Sequence, residues 1–161
     1  MKTKSILFIY GVGGHKEQMK RLTNILNSDI KDFEKIALIE EGANIDFFNK
    51  TYSMPPARDK YSHLKSLITL PYFLLYSFFI IAKILIVSNT KIIISTGPGL
   101  VFIPSLIFRL LGKKVIFIET WSRFNTSSFT GKLMYKIANV FYVQNKELLK
   151  LYPNAIYSGR L

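Results

Sequence analysis

At 161 residues the chain has the length of one domain, and 49% hydrophobic against 20% charged residues exclude a disordered or low-complexity protein. It contains no cysteine, which excludes disulfides, thiolate metal sites and cysteine nucleophiles. Twenty-two Lys and Arg against ten Asp and Glu leave +12, a field that favours phosphorylated substrates, anionic lipid or nucleic acid without choosing among them.

The first apolar run, SILFIY at 5–10, is too short for a signal-peptide core and ends in glycines instead of a cleavage site, so it reads as a strand. It runs into GVGGH at 11–15 and a basic helix over 14–28. KIALIE at 35–40 is the next strand, with a weaker one at KTYSM, 50–54, and a long apolar helix follows over 62–88. KIIIST at 91–96, KVIFIET at 114–120, VFYVQ at 140–144 and AIYSG at 155–159 then alternate with helices at 99–111, 129–138 and 146–152. Unalternating apolar runs suit strands buried on both faces, and the strand–helix alternation predicts one α/β domain over 1–161, a mostly parallel sheet with helices on both faces.

The stretch LITLPYFLLYSFFIIAKILIV, 67–87, is long enough to cross a bilayer. The strands before and after it belong to one sheet, so a crossing would place half the sheet on each side. A helix returning along a five- or six-residue strand needs only about 12 to 15 residues. The excess is therefore expected to project, carrying Tyr72, Phe73, Leu74, Leu75, Tyr76, Phe78 and Phe79 into the headgroup boundary of one leaflet. Phe73, Leu74, Phe78 and Phe79 are the candidate membrane-associating residues, with Lys60, Lys65, Lys83 and Lys91 placed to meet anionic lipid. A buried core helix, a partner interface and a true span are the other readings of this stretch.

In an open parallel sheet, ligands bind beyond the carboxyl ends of the strands. Gly11, Gly13 and Gly14 follow the first strand, and their amides with the helix N-terminus form an anion site; a tight turn without ligand is the alternative. A dinucleotide fingerprint lacks its third glycine, because His15 and Lys16 intervene, although Glu40 or Glu41 can imitate the ribose-binding acid. His15, Met19, Leu22 and Leu26 fall on one helical stripe. If the last three pack on the sheet, His15 overhangs the crevice, as a donor to an anion, as a base, or as a structural cap. STGPG at 95–99 brings Gly97 and Gly99 to the same edge. FIET puts Glu119 at a strand end, desolvated and suited to acid–base work or hydroxyl binding; helix capping or pairing with Arg123 is the alternative. His63 reads as a surface or turn residue. There is no HxxxH and no DxD, so no metal site is expected, and no helix-turn-helix, RNP-like or finger motif supports nucleic-acid binding.

GVGGH, STGPG, FIET and, most specifically, SFTGKLMYKIANVFYVQNKELLKLYPNAIYSGRL at 128–161 resemble one family over nearly the whole chain. This is the small membrane-associated subunit of two-part glycosyltransferases, which recruits the catalytic partner in dolichol-linked oligosaccharide synthesis and has relatives in bacterial capsule and exopolysaccharide synthesis. The resemblance implies a Rossmann-like half of a GT-B enzyme, similar to the acceptor-binding half of the peptidoglycan N-acetylglucosaminyltransferase. There a glycine loop holds the lipid diphosphate, and a histidine and a glutamate stand near the acceptor hydroxyl. Carried onto this chain, Gly11, Gly13 and Gly14 hold the diphosphate while His15 and Glu119 are the catalytic candidates; Gly97 and Gly99, in the second amide-rich loop at the same edge, are added to the diphosphate candidates for a long ligand. The implied partners are a polyprenyl-diphosphate-linked sugar, an anionic membrane at its cytoplasmic face and a separate donor-binding subunit. No tightly bound cofactor is implied, and the UDP-sugar, hexose or N-acetylglucosamine, lies mainly on the partner.

The eukaryotic subunit usually begins with a spanning helix; this chain starts at its first strand, so anchoring falls to 67–87. A GT-B transferase needs a second nucleotide-holding domain, for which 161 residues leave no room, so the chain alone is expected to be inactive. The tail Tyr152–Leu161, with Tyr152, Pro153, Tyr157 and Arg160, is the candidate docking surface. A non-catalytic membrane scaffold and an independent nucleotide-binding enzyme are the alternative functions.

Overall fold

The computed structural model describes the backbone of residues 2–55 and 63–161 and, apart from those of 63–69, their side chains. Lys60 and the side chains of His63 and Lys65 therefore lie outside the described residues. Seven strands form one parallel sheet in the order β3-β2-β1-β4-β5-β6-β7. They are β1 (Lys4–Tyr10), β2 (Glu34–Glu40), β3 (Lys50–Met54), β4 (Asn89–Ser95), β5 (Lys114–Ile118), β6 (Val140–Val143) and β7 (Ile156–Tyr157). All seven expected strands are present, including the weak one at 50–54.

Strand order and handedness decide where the helices go. The chain steps one way from β1 to β3, then jumps back to β4 and steps the other way. Right-handed crossovers therefore send α1 (Gly14–Leu26) to one face and α2 (His63–Val87), α3 (Phe102–Leu110) and α4 (Phe129–Ile137) to the other. Two buried clusters record this. Met19, with Leu22 and Leu26 beside it, packs on Ile6, Phe8, Tyr10 and Ile39. Opposite, Phe73, Ile81, Ile84, Phe108 and Met134 pack on Leu7, Ile9, Leu38, Val115 and Phe117. The reversal falls between β1 and β4, which opens a crevice at their carboxyl ends.

Three of the expected helices differ from expectation. The segment 99–111 divides into a 3-10 turn, Gly99–Val101, and α3, which tolerates Pro104 because an amide in the first helical turn has no carbonyl to meet. The segment 146–152 is a five-residue 3-10 turn, Lys146–Lys150: between β6 and Pro153 too few residues remain to nucleate an α-helix.

The third is α2, and here the expectation is corrected. Between Phe73 and Ile84 the helix lies on the sheet along one face. Phe73, Ser77, Ile80, Ile81 and Ile84 recur at helical spacing and are all buried, so Phe73, at 5% exposed, is a core residue and not a membrane contact. The opposite face carries Tyr72, Leu75, Phe78, Phe79 and Ile86, all above 60% exposed, with Leu74 at 40%. Among the described residues, Leu70–Val87 is the one helix long and apolar enough to cross a membrane, and only 28% of that stretch is buried. A core helix of a water-exposed protein turns a polar face outward; this one does not.

Candidate functional site

Beyond the end of β1, Gly13 stands at the N-cap of α1 with φ 67°, a left-handed conformation open to glycine at little cost, and no side chain caps the helix. Its amide neighbourhood is left for another group. A Cβ on Gly11 would overlap Pro98 and the Glu40 carboxylate, so the first loop packs directly on the second. Glu40, at the end of β2, accepts a hydrogen bond from the Val12 amide at 3.2 Å. Its carboxylate thus holds the loop.

His15 is in the first turn of α1, and the end of β4 fixes it from two sides. Its Nδ1 lies 2.6 Å from the Thr96 carbonyl, and the Thr96 hydroxyl donates back to the His15 carbonyl at 3.2 Å. A carbonyl only accepts, so Nδ1 carries the proton in the neutral ring and Nε2 keeps its lone pair. Gly97, φ 87°, lies flat against the imidazole: a Cβ there would stand 2.8 Å from Cε1. Burial holds the His15 pKa below the ordinary histidine value, against the opposing pull of the Thr96 bond and of the Glu119 and Glu40 charges. The ring is neutral at pH 7, with a basic nitrogen that no described group occupies.

Glu119 lies just past β5 and is 1% exposed. The carboxylate does not stand free over the crevice. Oε1 accepts from the Thr120 amide at 3.0 Å, the Ser128 hydroxyl lies 3.0 and 3.1 Å from the two oxygens, and Tyr152 donates to Oε2 at 3.0 Å. Ser128 also caps α4, accepting from the Gly131 amide at 2.8 Å. Gly131 has to be glycine, because any Cβ there would overlap the carboxylate. Burial pushes the Tyr152 phenol well above the usual tyrosine range, with the Glu119 charge adding to it, so it remains a donor. The backbone carbonyl of Glu119 meanwhile accepts from Gln18 and Gln144, at 3.3 and 2.9 Å. Of the alternatives for Glu119, helix capping describes this geometry through Ser128.

His15 and Glu119 nonetheless line one pocket of about 190 Å³, together with Thr96, Thr120, Ser122 and Arg123. Among the described residues Arg123 has no carboxylate partner, and its guanidinium bonds only the Thr126 hydroxyl, at 3.2 Å. A cation, several hydroxyls and a neutral imidazole suit a phosphorylated or hydroxylated ligand. Sequence reasoning missed Thr96 and Ser128 as parts of this site and offered Arg123 only as an ion-pair partner of Glu119, a pair not formed among the described residues. Ser128 was legible, as a serine just ahead of a predicted helix. Thr96 was not, because its part is played by a backbone carbonyl, which any residue would supply.

The candidate docking residues divide. Tyr152 is 2% exposed, held in the core by its bond to Glu119 and its stacking on Phe141, so it is not a surface residue, which corrects that expectation. Pro153, Tyr157 and Arg160 are exposed. Arg160 and Arg21 approach the Trp121 ring, at 5.5 and 5.0 Å from its centroid, beside the start of α1. An apolar groove of about 380 Å³ runs between α1 and the tail, floored by Ile94, Ile116 and Ile118 of the sheet. That face carries α1 over one half and no described helix over the other.

The model of a family described as Oligosaccharide biosynthesis protein Alg14 like matches residues 6–161. Among curated relatives, the protein named UDP-N-acetylglucosamine transferase subunit ALG14 in Mus musculus is 26% identical, over 97% of this chain and 82% of its own length. Its counterpart of the same name in Saccharomyces cerevisiae is 28% identical, over 99% of this chain and 78% of its own. Among solved structures, Acinetobacter baumannii MurG superposes with TM-score 0.65 at 15% identity, over 99% of this chain and 44% of that one. A UDP-N-acetylglucosamine 2-epimerase does so with TM-score 0.65 at 11% identity, over 99% of this chain and 49% of that one. The chain thus spans about half the length of these structures, and the likeness is one of fold.

Proposed function

The chain belongs to the Alg14-like oligosaccharide biosynthesis family, and from that membership we propose that it is the acceptor-binding, membrane-associated subunit of a two-part glycosyltransferase. Its relatives are named as subunits of a UDP-N-acetylglucosamine transferase. By analogy, the acceptor is a sugar on a polyprenyl diphosphate, and the UDP-sugar, with N-acetylglucosamine the first to test, lies mainly on a second polypeptide.

The observation that carries this reading is His15, neutral, fixed through Nδ1 and free at Nε2, at the crevice where the sheet reverses. His15 takes the proton of the acceptor hydroxyl as it attacks the sugar carbon, and the leaving UDP departs on the partner's side. The Gly11–Gly14 loop, with Gly97 and Gly99 behind it, bears the diphosphate. Glu119 is a positioning residue: its charge favours the imidazolium form of His15, and its hydrogen bonds hold β5, α4 and Tyr152 in register. Co-expression with a donor-binding chain should yield sugar transfer to a polyprenyl-diphosphate acceptor, and each chain alone should be inactive. Robust transfer by the purified chain alone would overturn the reading.

Association with one leaflet follows from the outer face of α2, with Lys83 and Lys91 exposed on and just beyond that helix. Replacing Leu75, Phe78 and Phe79 together by serine should move the protein from the vesicle-bound to the soluble fraction in flotation without unfolding it, because these side chains are mostly exposed. If the unmodified protein resists alkaline carbonate, a span is the better description.

Recruitment of the donor subunit is assigned to Tyr157, Arg160 and the groove beside α1. Deleting the tail is a poor test, since it removes Tyr152 from the core and β7 from β6. Tyr157→Glu and Arg160→Glu are expected to abolish co-purification of the partner while leaving the thermal midpoint within a few degrees. Unchanged co-purification would place the docking surface elsewhere.

A further inference from the structure

An apolar groove of about 720 Å³ runs between α2, α3 and α4, lined by Leu70, Phe73, Leu74, Phe102, Ile103 and Leu133. One end of it is walled by His15, Pro98 and Thr130, which also wall the smaller hydroxyl- and Arg123-lined pocket. At the other end Leu70 and Leu74 are 41% and 40% exposed on α2, whose described outer face is apolar apart from Lys83. A polar pocket and an apolar groove meeting at His15 fit a ligand that changes character at one point along its length. We propose that the groove takes the first isoprenoid units of the acceptor, so that this subunit reads the lipid chain as well as the sugar and its diphosphate.

This rests on the acceptor reading above and deepens it. A nucleotide sugar has no apolar arm to fill the groove. A bilayer lipid would enter from α2 but has no reason to reach His15. The only carboxylate among the described lining residues is Glu40, and it is already engaged with the Val12 amide at the loop. Among the described lining residues there is no Lys or Arg, so that lining selects for carbon and not for charge. The diphosphate is left to the glycine loop and Arg123, and the chain beyond the first units leaves past Leu70 and Leu74 toward the leaflet that the exposed apolar residues of α2 meet.

Binding by the purified chain, without partner or turnover, tests this. Farnesyl diphosphate and inorganic diphosphate are compared in detergent-free buffer, with Ile103→Trp and Leu133→Trp as two independent groove-filling variants whose folding is checked by cooperative thermal unfolding. Both positions are half-buried, so either can accept a larger side chain at the groove wall. Farnesyl diphosphate should bind at least ten-fold more tightly than inorganic diphosphate. Either variant should erase that preference, leaving inorganic diphosphate affinity and vesicle flotation unchanged. Equal affinity of the two ligands, or a preference that survives both variants, overturns the proposal. So does joint loss of preference and flotation, since the groove is then part of the bilayer contact. The readout needs no activity: failure of sugar transfer in the co-expressed complex would sink the acceptor reading without altering it, and loss of the preference with transfer intact would sink the groove alone.

Discussion

His15→Ala is expected to lower turnover of the two-subunit complex by about 10²- to 10⁴-fold, the usual contribution of a positioned general base, with folding and partner binding intact. The magnitude follows from the geometry: the substitution removes the basic nitrogen and leaves the Thr96 carbonyl that oriented it. His15→Gln should not rescue, because an amide can donate to an anion but cannot take a proton. The pH profile separates a base from a phosphate donor. Burial lowers the His15 pKa, so the neutral, active ring persists below the ordinary histidine value of about 6.5. The acid limb of kcat/KM should therefore lie below that value and activity should be full above it. A donor acting as imidazolium would lose activity in the opposite direction, as pH rises. If the His15→Ala complex turns over normally at saturating acceptor, the subunit contributes no base and the scaffold reading replaces this one.

Glu119→Ala should unfold first. It strips the acceptor from the Thr120 amide, the Ser128 hydroxyl and the Tyr152 phenol at once, and Tyr152 is too buried to find water. Buried donors left unpaired cost about 1 to 3 kcal/mol each. A total of about 3 to 5 kcal/mol lowers the thermal midpoint of a chain this size by about 10 °C or more. Glu119→Gln keeps the shape and one acceptor oxygen, and should fall between Ala and the unmodified protein. Turnover of the Gln variant, read well below its own midpoint, then reports the positioning role separately from stability. A midpoint unchanged in Glu119→Ala would mean that the three donors find other partners and that the network does not hold α4.

The five inner strands were legible because each is a continuous apolar run, and a run buried on both faces belongs in the middle of a parallel sheet whatever its neighbours. Even KTYSM at 50–54 pairs with β2 in register along its whole length. His15 was legible for a related reason. A stripe of Met19, Leu22 and Leu26 fixes how the helix lies on the sheet, and a glycine turn fixes where the helix begins, so the residue at the head of the stripe has to face the crevice. The long apolar helix was legible as an element but not as a surface. In a stretch this apolar the inward and outward stripes have the same chemistry, so composition cannot say that Phe73 is core and Phe78 is not.

What the chain's own sequence determined is the set of elements, their order and the residues at strand ends, because periodicity and glycine turns are local properties that survive without a partner. Tertiary structure alone decided which of those residues meet. Thr96 reaches His15 across 81 positions and Tyr152 reaches Glu119 across 33, because parallel strands bring distant segments to one edge. The same folding turned Glu119 inward onto a helix start and drew Tyr152 from the tail into the core. A charged group leaving water takes the nearest full set of donors, and no local pattern announces where three donors will converge.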